Sequence, residues 1–504
     1  MSYYVTTTIP YVNARPHLGF ALELVQADVL ARHRRTRGGA VRFLSGTDEN
    51  SLKNVLAAEA EGVGVQELVD RNAAAFAQLA GPLALSFDDF IRTSRDPRHR
   101  VGVEYLWQRC AAAGDFYRKQ YVGLYCVGCE AFYAETELVE GRCPEHGTEP
   151  QQVSEENWFF RLSRYEQRLR ELITDGRLRV EPAARRNEVL ALIDSGLQDF
   201  SVSRSRARAR GWGIPVPGDE DQVVYVWWDA LGNYVTSLGL GGEGDDFATW
   251  WAGEGERVHL VGKGVVRFHA VYWPAMLLSA GLPLPTRILV HDYLTVSGRK
   301  ISKSGGGAVA DPTDLVSRFG ADAVRWWLLR EVPRVGDADF TEERLIARAD
   351  ADLAGGFGNL VHRVVTMVHR YRDGVVPTPT VSTTATSELR AVCARAAGRV
   401  DAALDDFDYR AAAGAVWTLV EEANRCIDRT RPWELAKSER GGAPSPRLDA
   451  ALAALVAACR ALGDELRPFL PDAAERITER CTPVDGVLPP SHPLFPRLGV
   501  PESA

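Results

Sequence analysis

The fold of this chain is decided by the stretch Tyr3-Tyr-Val-Thr-Thr-Thr-Ile9, whose Thr, Tyr and Val residues favour a β-strand. Pro10 to His17 then form a turn, and from Leu18 to Arg35 apolar residues recur at helical spacing. A second short apolar strand, Ala40 to Ser45, runs into the polar segment Gly46-Thr-Asp-Glu-Asn50. This strand–helix–strand order predicts an α/β fold with a doubly wound, Rossmann-type sheet.

The bulk composition is that of a globular protein. The chain has 504 residues, enough for about three domains, with 45% hydrophobic and 25% charged residues. We see no signal peptide and no apolar run long enough to cross a membrane, so we expect a cytoplasmic protein. The net charge of −8, taken alone, argues against nucleic-acid binding, although a local basic face is enough to bind phosphates. One local basic run, Arg204 to Arg210, fits either such a face or a solvated loop.

Two places in the α/β region suit charged ligands. His17 and Gly19 lie where a strand gives way to a helix, and a helix N-terminus attracts phosphate through its free N–H groups. Asp48 and Glu49 follow the second strand, and ligands of open parallel sheets bind at the carboxyl ends of strands. We therefore predict a nucleotide near His17 and an ammonium group near the two carboxylates. The alternative for His17 and Gly19 is a purely structural turn.

A glycine-rich basic loop provides a second phosphate signal. Its sequence is Val296-Ser-Gly-Arg-Lys-Ile-Ser-Lys-Ser-Gly-Gly-Gly307, with Lys300 and Lys303 between small hydroxyl residues. Glycines on both sides give the backbone freedom to move, and lysine ammoniums and serine hydroxyls donate to phosphate oxygens. The loop is typical of a clamp on a polyphosphate, or, taken alone, of a solvated basic surface loop.

Three cysteines and one histidine have the spacing of a metal site. Cys126 and Cys129 form one pair, Cys143 and His146 form the other, and thirteen residues separate the two pairs. Each pair can reach one tetrahedral Zn²⁺ from a tight turn, and a closed site with three thiolates and one imidazole is structural. The alternative is a set of free thiols with an incidental histidine. The other cysteines are expected to be buried, reduced thiols.

The second half of the chain predicts a return to the α/β pattern and then a helix bundle. Val223 to Asp229 and Ile288 to Val290 have the composition of buried strands. From about Leu345 onward helical periodicity dominates, and it predicts an antiparallel bundle of four helices: 353–371, 387–404, 411–431 and 448–466. The Pro-rich tail from Pro489 is expected to wrap the surface or fray.

Two of these motifs together resemble a known family. His17-Leu-Gly19 and Lys300-Ile-Ser-Lys-Ser304, nearly 280 residues apart, resemble the HIGH and KMSKS motifs of class I aminoacyl-tRNA synthetases. Gly46-Thr-Asp-Glu49, Tyr225-Val-Trp-Trp-Asp-Ala230 and Arg431-Pro-Trp-Glu-Leu-Ala-Lys437 resemble methionyl-tRNA synthetases in particular. The resemblance implies five regions: the first half of the Rossmann catalytic domain at 1–109, a connective insertion with the zinc knuckle at 110–202, the second half of the catalytic domain at 203–290, the KMSKS loop with a stem-contact region at 291–345, and an all-α anticodon-binding domain at 346–504.

The resemblance also implies a reaction and a set of site residues. It implies activation of methionine by ATP with Mg²⁺, transfer of the methionyl group to tRNA(Met), one structural Zn²⁺ and a monomeric enzyme. His17, Gly19, Lys300 and Lys303 would be catalytic, and the ATP site would comprise His17, Gly19, Phe20, Gly262, Lys300, Ser302 and Lys303. The methionine site would comprise Ile9, Tyr11, Asp48, Trp227, Ala230, Leu231, Tyr234, Phe268, His269 and Trp273. The anticodon would be bound by Asn359, Arg363 and Trp433.

Three positions depart from the family pattern. Phe20 replaces the second histidine of the HIGH motif, Gly264 replaces a carboxylate expected near the ATP ribose, and Asn50-Ser51 replaces His-Gly. These departures leave two further functions open. The chain could form an aminoacyl-adenylate for an acceptor other than tRNA, or it could be a tRNA-binding protein with weak catalysis. For Phe20, the ring could cost transition-state stabilisation, or it could pack in a site rebuilt around it.

Overall fold

The structure is a computed structural model of the chain. It describes residues 2–128, 131–133, 135–144, 147–296, 298–300, 311–439 and 444–499. In these ranges no helix is both long and apolar enough to cross a membrane.

The strands of the described residues fall into one large sheet and three small ones. Their bounds are β1 Ser2–Thr7, β2 Ala40–Thr47, β3 Asp89–Arg92, β4 Phe116–Cys126, β5 Ala131–Tyr133, β6 Gln151–Phe160, β7 Arg179–Glu181, β8 Phe200–Ser201, β9 Ser203–Ser205, β10 Pro215–Val216, β11 Asp219–Val224, β12 Gly255–Gly262, β13 Arg287–His291, β14 Leu294–Val296, β15 Arg299–Lys300 and β16 Ala338–Asp339.

The helices surround the large sheet in the first part of the chain and pack on one another in the second. Their bounds are α1 Leu18–Thr36, α2 Leu52–Glu61, α3 Val65–Ala77, α4 Pro97–Ala112, α5 Glu166–Thr174, α6 Ala183–Asp194, α7 Val226–Thr236, α8 Trp273–Ala280, α9 Pro312–Phe319, α10 Ala321–Arg330, α11 Glu342–Arg348, α12 Asn359–Arg372, α13 Thr384–Asp405, α14 Tyr409–Thr430, α15 Pro432–Ser438, α16 Pro446–Leu466 and α17 Pro471–Cys481.

The large sheet is parallel, with the described strands in the order β3-β2-β1-β12-β13-β7. Side chains alternate across a strand, so β1 serves two cores. Tyr3 and Val5 pack in the core that contains α1, while Tyr4 packs in the core that contains α4, α7 and α8. Helices cover both faces of the sheet, so β1 is buried beyond Ser2 and β2 is buried from Phe43 to Thr47, and this confirms the doubly wound α/β prediction.

The stretch between β3 and β12 contains most of the small sheets. β4 and β6 form a long antiparallel pair, extended by β5 and β8, and the knuckle lies at the Cys126 end of β4. The chain then returns to the large sheet, because β7 pairs in parallel with β13. The range 110–202 therefore contributes an edge strand to the large sheet as well as the insertion.

One predicted strand is wrong. The sequence from Val223 to Asp229 is rich in Val, Tyr and Trp and was expected to be a buried strand, but β11 ends at Val224 and α7 begins at Val226. Tyr225 has extended backbone angles and forms the helix N-cap. Nearly every residue of α7 is buried. A helix that is apolar on all sides has no amphipathic period, so its sequence resembles that of a buried strand.

The helical part of the chain confirms the predicted bundle. The four expected helices correspond to α12, α13, α14 and α16, and two further helices, α15 and α17, were not predicted. The tail packs on the bundle: Ser491 Oγ lies 2.7 Å from His362 Nδ1, and Leu498 N–H donates to Asp350 Oδ1 at 2.7 Å. Of the two expectations for the tail, wrapping of the surface is therefore confirmed for the described residues.

The end of α1 is joined to this bundle by ion pairs of Arg37 and by a hydrogen bond of His33, whose pKa is lowered by burial. His33 Nε2 lies 2.7 Å from Asp401 Oδ1 on α13, and Arg37 contacts the same carboxylate at 2.9 Å and Glu465 on α16 at 2.8 Å. A helix of 19 residues is about 28 Å long at 1.5 Å per residue. α1 therefore runs from the predicted ATP site to the helical domain.

Candidate active site

His17 begins α1 and satisfies one of its free N–H groups. Its backbone is extended, and its Nδ1 accepts the Gly19 N–H at 3.1 Å, as an N-cap side chain does. The neutral ring then carries its proton on Nε2, the nitrogen that can donate to a ligand. A Cβ at position 19 would lie 3.0 Å from the His17 ring, so glycine allows the ring to fold back over the helix start.

Phe20 is part of the hydrophobic core next to this helix start. Its side chain is 7% exposed and meets the ring of Phe76 edge-to-face, with the ring centroids 5.2 Å apart. Such aromatic pairs contribute about 0.5–1.5 kcal/mol beyond the area they bury. The position that the family uses for a second histidine is therefore a packing position in this chain.

Asp48 lies at the carboxyl edge of the sheet, beside Tyr11. It is 3% exposed, and its backbone N–H donates to Pro10 O at 2.9 Å. Just before it, Gly46 is required by space, because a Cβ there would lie 2.3 Å from Ile91 O. The loop therefore holds the Asp48 carboxylate in a buried place, where an ammonium partner is worth more than in water.

Glu49 does not share this role. Its carboxylate is fully buried and accepts from Arg92 Nε at 2.7 Å, from Thr47 Oγ1 at 2.8 Å and from Ser94 Oγ. The prediction that both carboxylates could bind an ammonium group is therefore wrong for Glu49, since arginine already neutralises it. Its function is structural.

A cavity of about 470 Å³ opens at this edge of the sheet. Tyr11, Trp227 and Phe268 line it, and these are three of the predicted methionine-site residues. It is also lined by Gly264 and by residues on both the nucleotide side and the knuckle side: Lys53, Lys263, Val265, Val266, Arg267 and Tyr293, with Gly128, Tyr133, Glu137 and Pro144. Three of the residues predicted to bind methionine thus line the same cavity as Gly264 and described residues of the knuckle.

The aromatic wall of the cavity is stacked and uncharged. Trp227 and Phe268 stack face to face with their centroids 3.8 Å apart. Behind them, Tyr234 O–H lies 2.7 Å from His269 Nε2, and His269 Nδ1–H donates to Val265 O at 2.9 Å, so Tyr234 is the donor. Burial lowers the pKa of His269 to about 4, so the ring is neutral near pH 7. An apolar, polarizable wall of this kind suits a thioether.

The remaining predicted methionine residues stand behind or beside this wall. Ala230 and Leu231 are buried on α7, and Trp273 is fully buried and donates from Nε1 to His259 Nε2 at 3.2 Å. Ile9 follows β1 and is partly buried next to the loop of Asp48. They support the aromatic wall, and the cavity lining itself includes Tyr11, Trp227 and Phe268 from the predicted set.

Two of the family departures now have a structural setting. Asn50 donates to Asp229 Oδ2 at 2.6 Å, and the other oxygen of Asp229 is bonded to His99, so Asn50 ties the Asp48 loop to α7. Beside Gly264, Lys263 Nζ lies 2.6 Å from Asp337 Oδ1 and 3.6 Å from Asp292 Oδ1. Carboxylates are therefore present near Gly264, although position 264 itself has none.

Only the beginning of the lysine loop is described. Gly262 ends β12, β14 and β15 follow His291, and the described segment ends at Lys300. Gly298 has a positive φ of 71° and its N–H donates to Asp339 Oδ1 at 3.0 Å, so the hairpin before the lysines is anchored. Ser302 and Lys303 lie outside the described residues, and their predicted roles stay predictions.

The predicted zinc knuckle is described in part. Cys126 and Cys143 are each 1% exposed and pack in one small cluster with Tyr133 and Leu138. Within the described ranges no group of three or more metal-ligand side chains is present, and Cys129 and His146 lie outside those ranges. Two thiols in one buried cluster fit a soft divalent metal, so zinc binding stays a prediction.

Replacing Cys143 by Ser tests the zinc prediction. We expect the wild-type chain, purified without chelator, to contain one equivalent of zinc by metal analysis, and the variant to contain less. The variant should unfold at a lower temperature, because structural zinc contributes directly to folding. Replacing Cys110, which is buried under α8 far along the chain, by Ser is the control that should leave the zinc content unchanged. Full zinc occupancy in Cys143→Ser would contradict the assignment.

The predicted anticodon residues lie on neighbouring helices of the bundle. Asn359 is exposed at the start of α12, and Arg363 NH1 donates to Asn424 Oδ1 on α14 at 3.1 Å. Trp433, on the short helix that follows α14, is 45% exposed. An exposed tryptophan on such a bundle is suited to stacking with an unpaired base.

Most arginines of the basic run at 204–210 contact other side chains of the protein. Arg204 lies over the rings of Tyr125 and Tyr225, and Arg208 lies 4.1 Å from the centroid of Tyr125. Arg210 pairs with Glu59. Neither alternative for this run, a phosphate-binding face or a solvated loop, describes Arg204 and Arg208, because both pack against Tyr125.

Sequence reasoning missed one connection at the site. Glu23, in the second turn of α1, is bonded to Thr8 and to His291, which are 15 and 268 residues away in sequence. A buried glutamate in the α1 pattern was the available signal, but its partners follow only from the fold.

Comparisons with known proteins agree with this geometry. The family model of class I tRNA synthetases (M) matches residues 3–153 and 146–365. The methionine–tRNA ligase of Brucella melitensis is 40% identical over 98% of this chain and 98% of its own length, and that of Caldanaerobacter subterraneus is 40% identical over 95% of this chain and 74% of its own. The structure of Mycobacterium tuberculosis methionyl-tRNA synthetase in complex with methionyl-adenylate superposes with a TM-score of 0.91 at 38% identity, over 98% of this chain and 100% of that one. The chain therefore belongs to the methionyl-tRNA synthetases of class I.

Proposed function

We propose that this chain is a methionine–tRNA ligase that forms methionyl-adenylate and pyrophosphate from methionine and ATP, and then transfers the methionyl group to tRNA(Met). The observation that carries the proposal is the cavity in which Tyr11, Trp227 and Phe268 face Lys263 and Gly264 at the carboxyl edge of the sheet. A parallel sheet binds nucleotides at this edge. The cavity thus has room for an apolar side chain beside a nucleotide.

Methionine would be held at its two ends. The Asp48 carboxylate, 3% exposed, would pair with the α-ammonium, and the stacked Trp227 and Phe268 would contact the thioether. The neutral His269 would add no charge behind the wall. This arrangement leaves the methionine carboxylate to attack the α-phosphorus of ATP, with the α–β phosphate bond breaking and pyrophosphate leaving.

The ATP phosphates would be bound from two sides. His17 would donate from Nε2, together with the N-terminus of α1, where Gly19 permits close approach. Lys300, Lys303 and Ser302 would close from the other side, and Gly262 would lie under the nucleotide. Mg²⁺ accompanies ATP as part of the substrate. Donors placed for charge that develops on the leaving pyrophosphate are typically worth about 10²–10³ in rate each.

The acceptor and the metal complete the proposal. Asn359, Arg363 and Trp433 would bind the anticodon, and Cys126, Cys129, Cys143 and His146 would hold one structural Zn²⁺ in the knuckle, which borders the cavity through Gly128 and Pro144. The zinc would stabilise the fold of the knuckle residues that line the cavity. We also propose that the chain acts as a cytoplasmic monomer.

Amino-acid-dependent exchange of labelled pyrophosphate into ATP, followed by charging of tRNA(Met), tests the proposal. Methionine should support exchange better than a panel of other amino acids, and the adenylate should then charge tRNA(Met). Exchange without tRNA charging would favour another acceptor. Binding of tRNA without exchange would favour a catalytically weak tRNA-binding protein.

Replacing Trp433 by Ala tests the anticodon assignment. We expect weaker charging of tRNA(Met) by roughly tenfold or more, because stacking of a base on an aromatic ring is worth about 1–3 kcal/mol. Pyrophosphate exchange in the absence of tRNA should be unchanged. Val487→Ala, another exposed apolar position in the helical part of the chain, is the control. An equal loss in both assays for Trp433→Ala would argue against the anticodon role.

Replacing Phe20 by His decides between the two alternatives for this position. The packing of Phe20 against Phe76 now favours the second, so we expect the variant to form adenylate more slowly in single turnover and to be less stable. An imidazole buried in an apolar contact without partners costs about 1–3 kcal/mol. Phe76→Leu serves as the packing control, since it disturbs the same contact without adding a polar group. Faster adenylate formation by Phe20→His would mean that a phosphate contact is missing in the wild type.

A further inference from the structure

The ring of His291 lies between two hydrogen-bond acceptors at the end of β13. Its Nδ1 is 2.9 Å from Asp292 O, and its Nε2 is 2.8 Å from Glu23 Oε2 on α1. A carbonyl oxygen cannot donate, so Nδ1 must carry a proton. The state of Nε2 then depends on whether the proton between the ring and the Glu23 carboxyl belongs to nitrogen or to oxygen.

The hydrogen bonds that the other oxygen of Glu23 accepts favour the ionised form of the carboxylate. Glu23 Oε1 accepts both the backbone N–H of Thr8 at 2.5 Å and the Thr8 hydroxyl at 2.6 Å. Hydrogen bonds donated to a carboxylate favour its charged form. The proton is therefore placed on Nε2, and the ring donates from both nitrogens.

The charged groups around the ring are consistent with a cation. Burial alone would lower the pKa of His291, but Glu23, with a further contribution from Asp292, outweighs it and raises the pKa. The Asp292 carboxylate is itself bonded to Arg185 on α6 and to the Gly336 N–H, and it lies 3.6 Å from Lys263 Nζ. Since the pKa is raised, the ion pair is complete below it and is lost as the pH rises through it.

We propose that His291 is an imidazolium whose ion pair with Glu23 positions the root of the lysine loop against α1 for the reaction with ATP. The proposal rests on the proposed function. Three segments of the ATP site meet at Glu23: the end of β1 through Thr8, α1 itself, and β13, from which β14 and the lysine loop continue. Gly262 is part of the same contact, because a Cβ there would lie 3.5 Å from the His291 ring.

The position of this cation relates it to Phe20. Glu23 follows Phe20 by three residues on α1, and residues three apart lie next to each other on a helix surface. The pair of Glu23 and His291 therefore lies one turn further along α1 than Phe20, and its two charges balance each other. His291 and Glu23 act through the placement of the loop and the helix, so they are positioning residues.

The charge state is tested first in the free protein, without substrates. Histidine labelled at ¹³Cε1 is followed by NMR as a function of pH, and the His291 signal is assigned by its loss in His291→Gln. We expect His291 to titrate above the exposed His492, and its midpoint to move to lower pH in Glu23→Gln, whose amide can donate to a neutral ring. A His291 midpoint below that of His492, or one that Glu23→Gln leaves in place, would overturn the imidazolium.

The positioning role is tested by pyrophosphate exchange. His291→Gln and Glu23→Gln should each lower kcat/KM for ATP by roughly ten- to a hundredfold, with the KM for methionine little changed, because a small misplacement of catalytic groups costs about that much. The double variant should lose little more than either single one, since both remove the same pair. His492→Gln is the control.

The pH profile adds a readout that a merely structural role would not move. Wild-type exchange should fall at alkaline pH near the midpoint measured by NMR, and Glu23→Gln should fall at lower pH. Additive losses in the double variant, or wild-type rates in either single variant, would overturn the positioning role. A wild-type chain with no methionine-dependent exchange would refute the proposed function, while the NMR titration would still decide the ion pair.

Discussion

Replacing Asp48 by Asn is expected to lower kcat/KM for methionine by roughly 30- to 3,000-fold. Removing one partner of a buried, hydrogen-bonded charge pair costs about 2–5 kcal/mol, and every 1.4 kcal/mol is a factor of ten. Asp48 is 3% exposed, so water cannot replace its charge when the substrate ammonium is bound. Asparagine has the same shape and keeps the backbone N–H that donates to Pro10 O. The loss should therefore come from charge and not from folding.

A methionine analogue without the α-amino group makes this test specific. Wild type and Asp48→Asn should bind the analogue with similar, low affinity in calorimetry, because neither has an ammonium to pair. Asp246→Asn is the matched control: this carboxylate is 53% exposed and pairs with Arg42, and its loss should leave methionine kinetics unchanged. If Asp48→Asn weakened the analogue as much as methionine, Asp48 would be shaping the pocket and not pairing with the ammonium.

The parts of the fold that could be predicted are those with a clear composition or period. β1 and β2 have the composition of strands, α1 and the four long bundle helices have a helical period, and each lies close to its predicted bounds. α7 was mistaken because burial on all sides removes the period that separates a helix from a strand. β7 could not be foreseen, because three residues have no detectable pattern and their pairing with β13 is a property of the sheet.

The candidate site also contains features that could be predicted from the sequence and features that could not. His17 and Gly19 are two residues apart, so their relation at the helix start is local and could be predicted from the motif. The pairing of Glu49 with Arg92, 43 residues away, is a property of the fold, so the sequence could not distinguish the two carboxylates. Departures from a family motif are also hard to interpret from sequence. Asn50 is seen as a link to α7 only when its bond to Asp229 is known.

Replacing Arg325 by Met is expected to lower the free energy of unfolding by about 3–5 kcal/mol. Breaking a buried ion pair by removing one partner typically costs this much. The Arg325 side chain is 1% exposed and lies on α10, where it donates to Phe469 O at 2.8 Å, to Pro468 O at 3.2 Å and to Leu83 O at 2.9 Å, and contacts Asp28 Oδ2 at 2.8 Å. Methionine fills much of the space but removes the donor to the buried carbonyls of Leu83, Pro468 and Phe469, while Asp28 keeps its pair with Arg32.

Urea unfolding of the variant, compared with Arg318→Met, measures the effect. Arg318 pairs with Glu342 at 44% exposure, and exposed pairs contribute about 0–1 kcal/mol, so the control should unfold close to wild type. Equal midpoints for wild type and Arg325→Met would show that the contacts of Arg325 with Asp28 and with the backbone carbonyls are not needed for stability.

The contacts of Arg325 also affect a functional measurement. Arg325 joins α1, which begins at His17, to the turn between α16 and α17 in the helical domain. Below the urea concentration that unfolds it, Arg325→Met should lose more tRNA charging than pyrophosphate exchange, because charging requires the proposed anticodon residues and the proposed adenylate site to keep their distance on one tRNA. An equal loss in the two assays would mean that Arg325 supports the catalytic domain alone, and that α1 is held to the bundle by the contacts of His33 and Arg37.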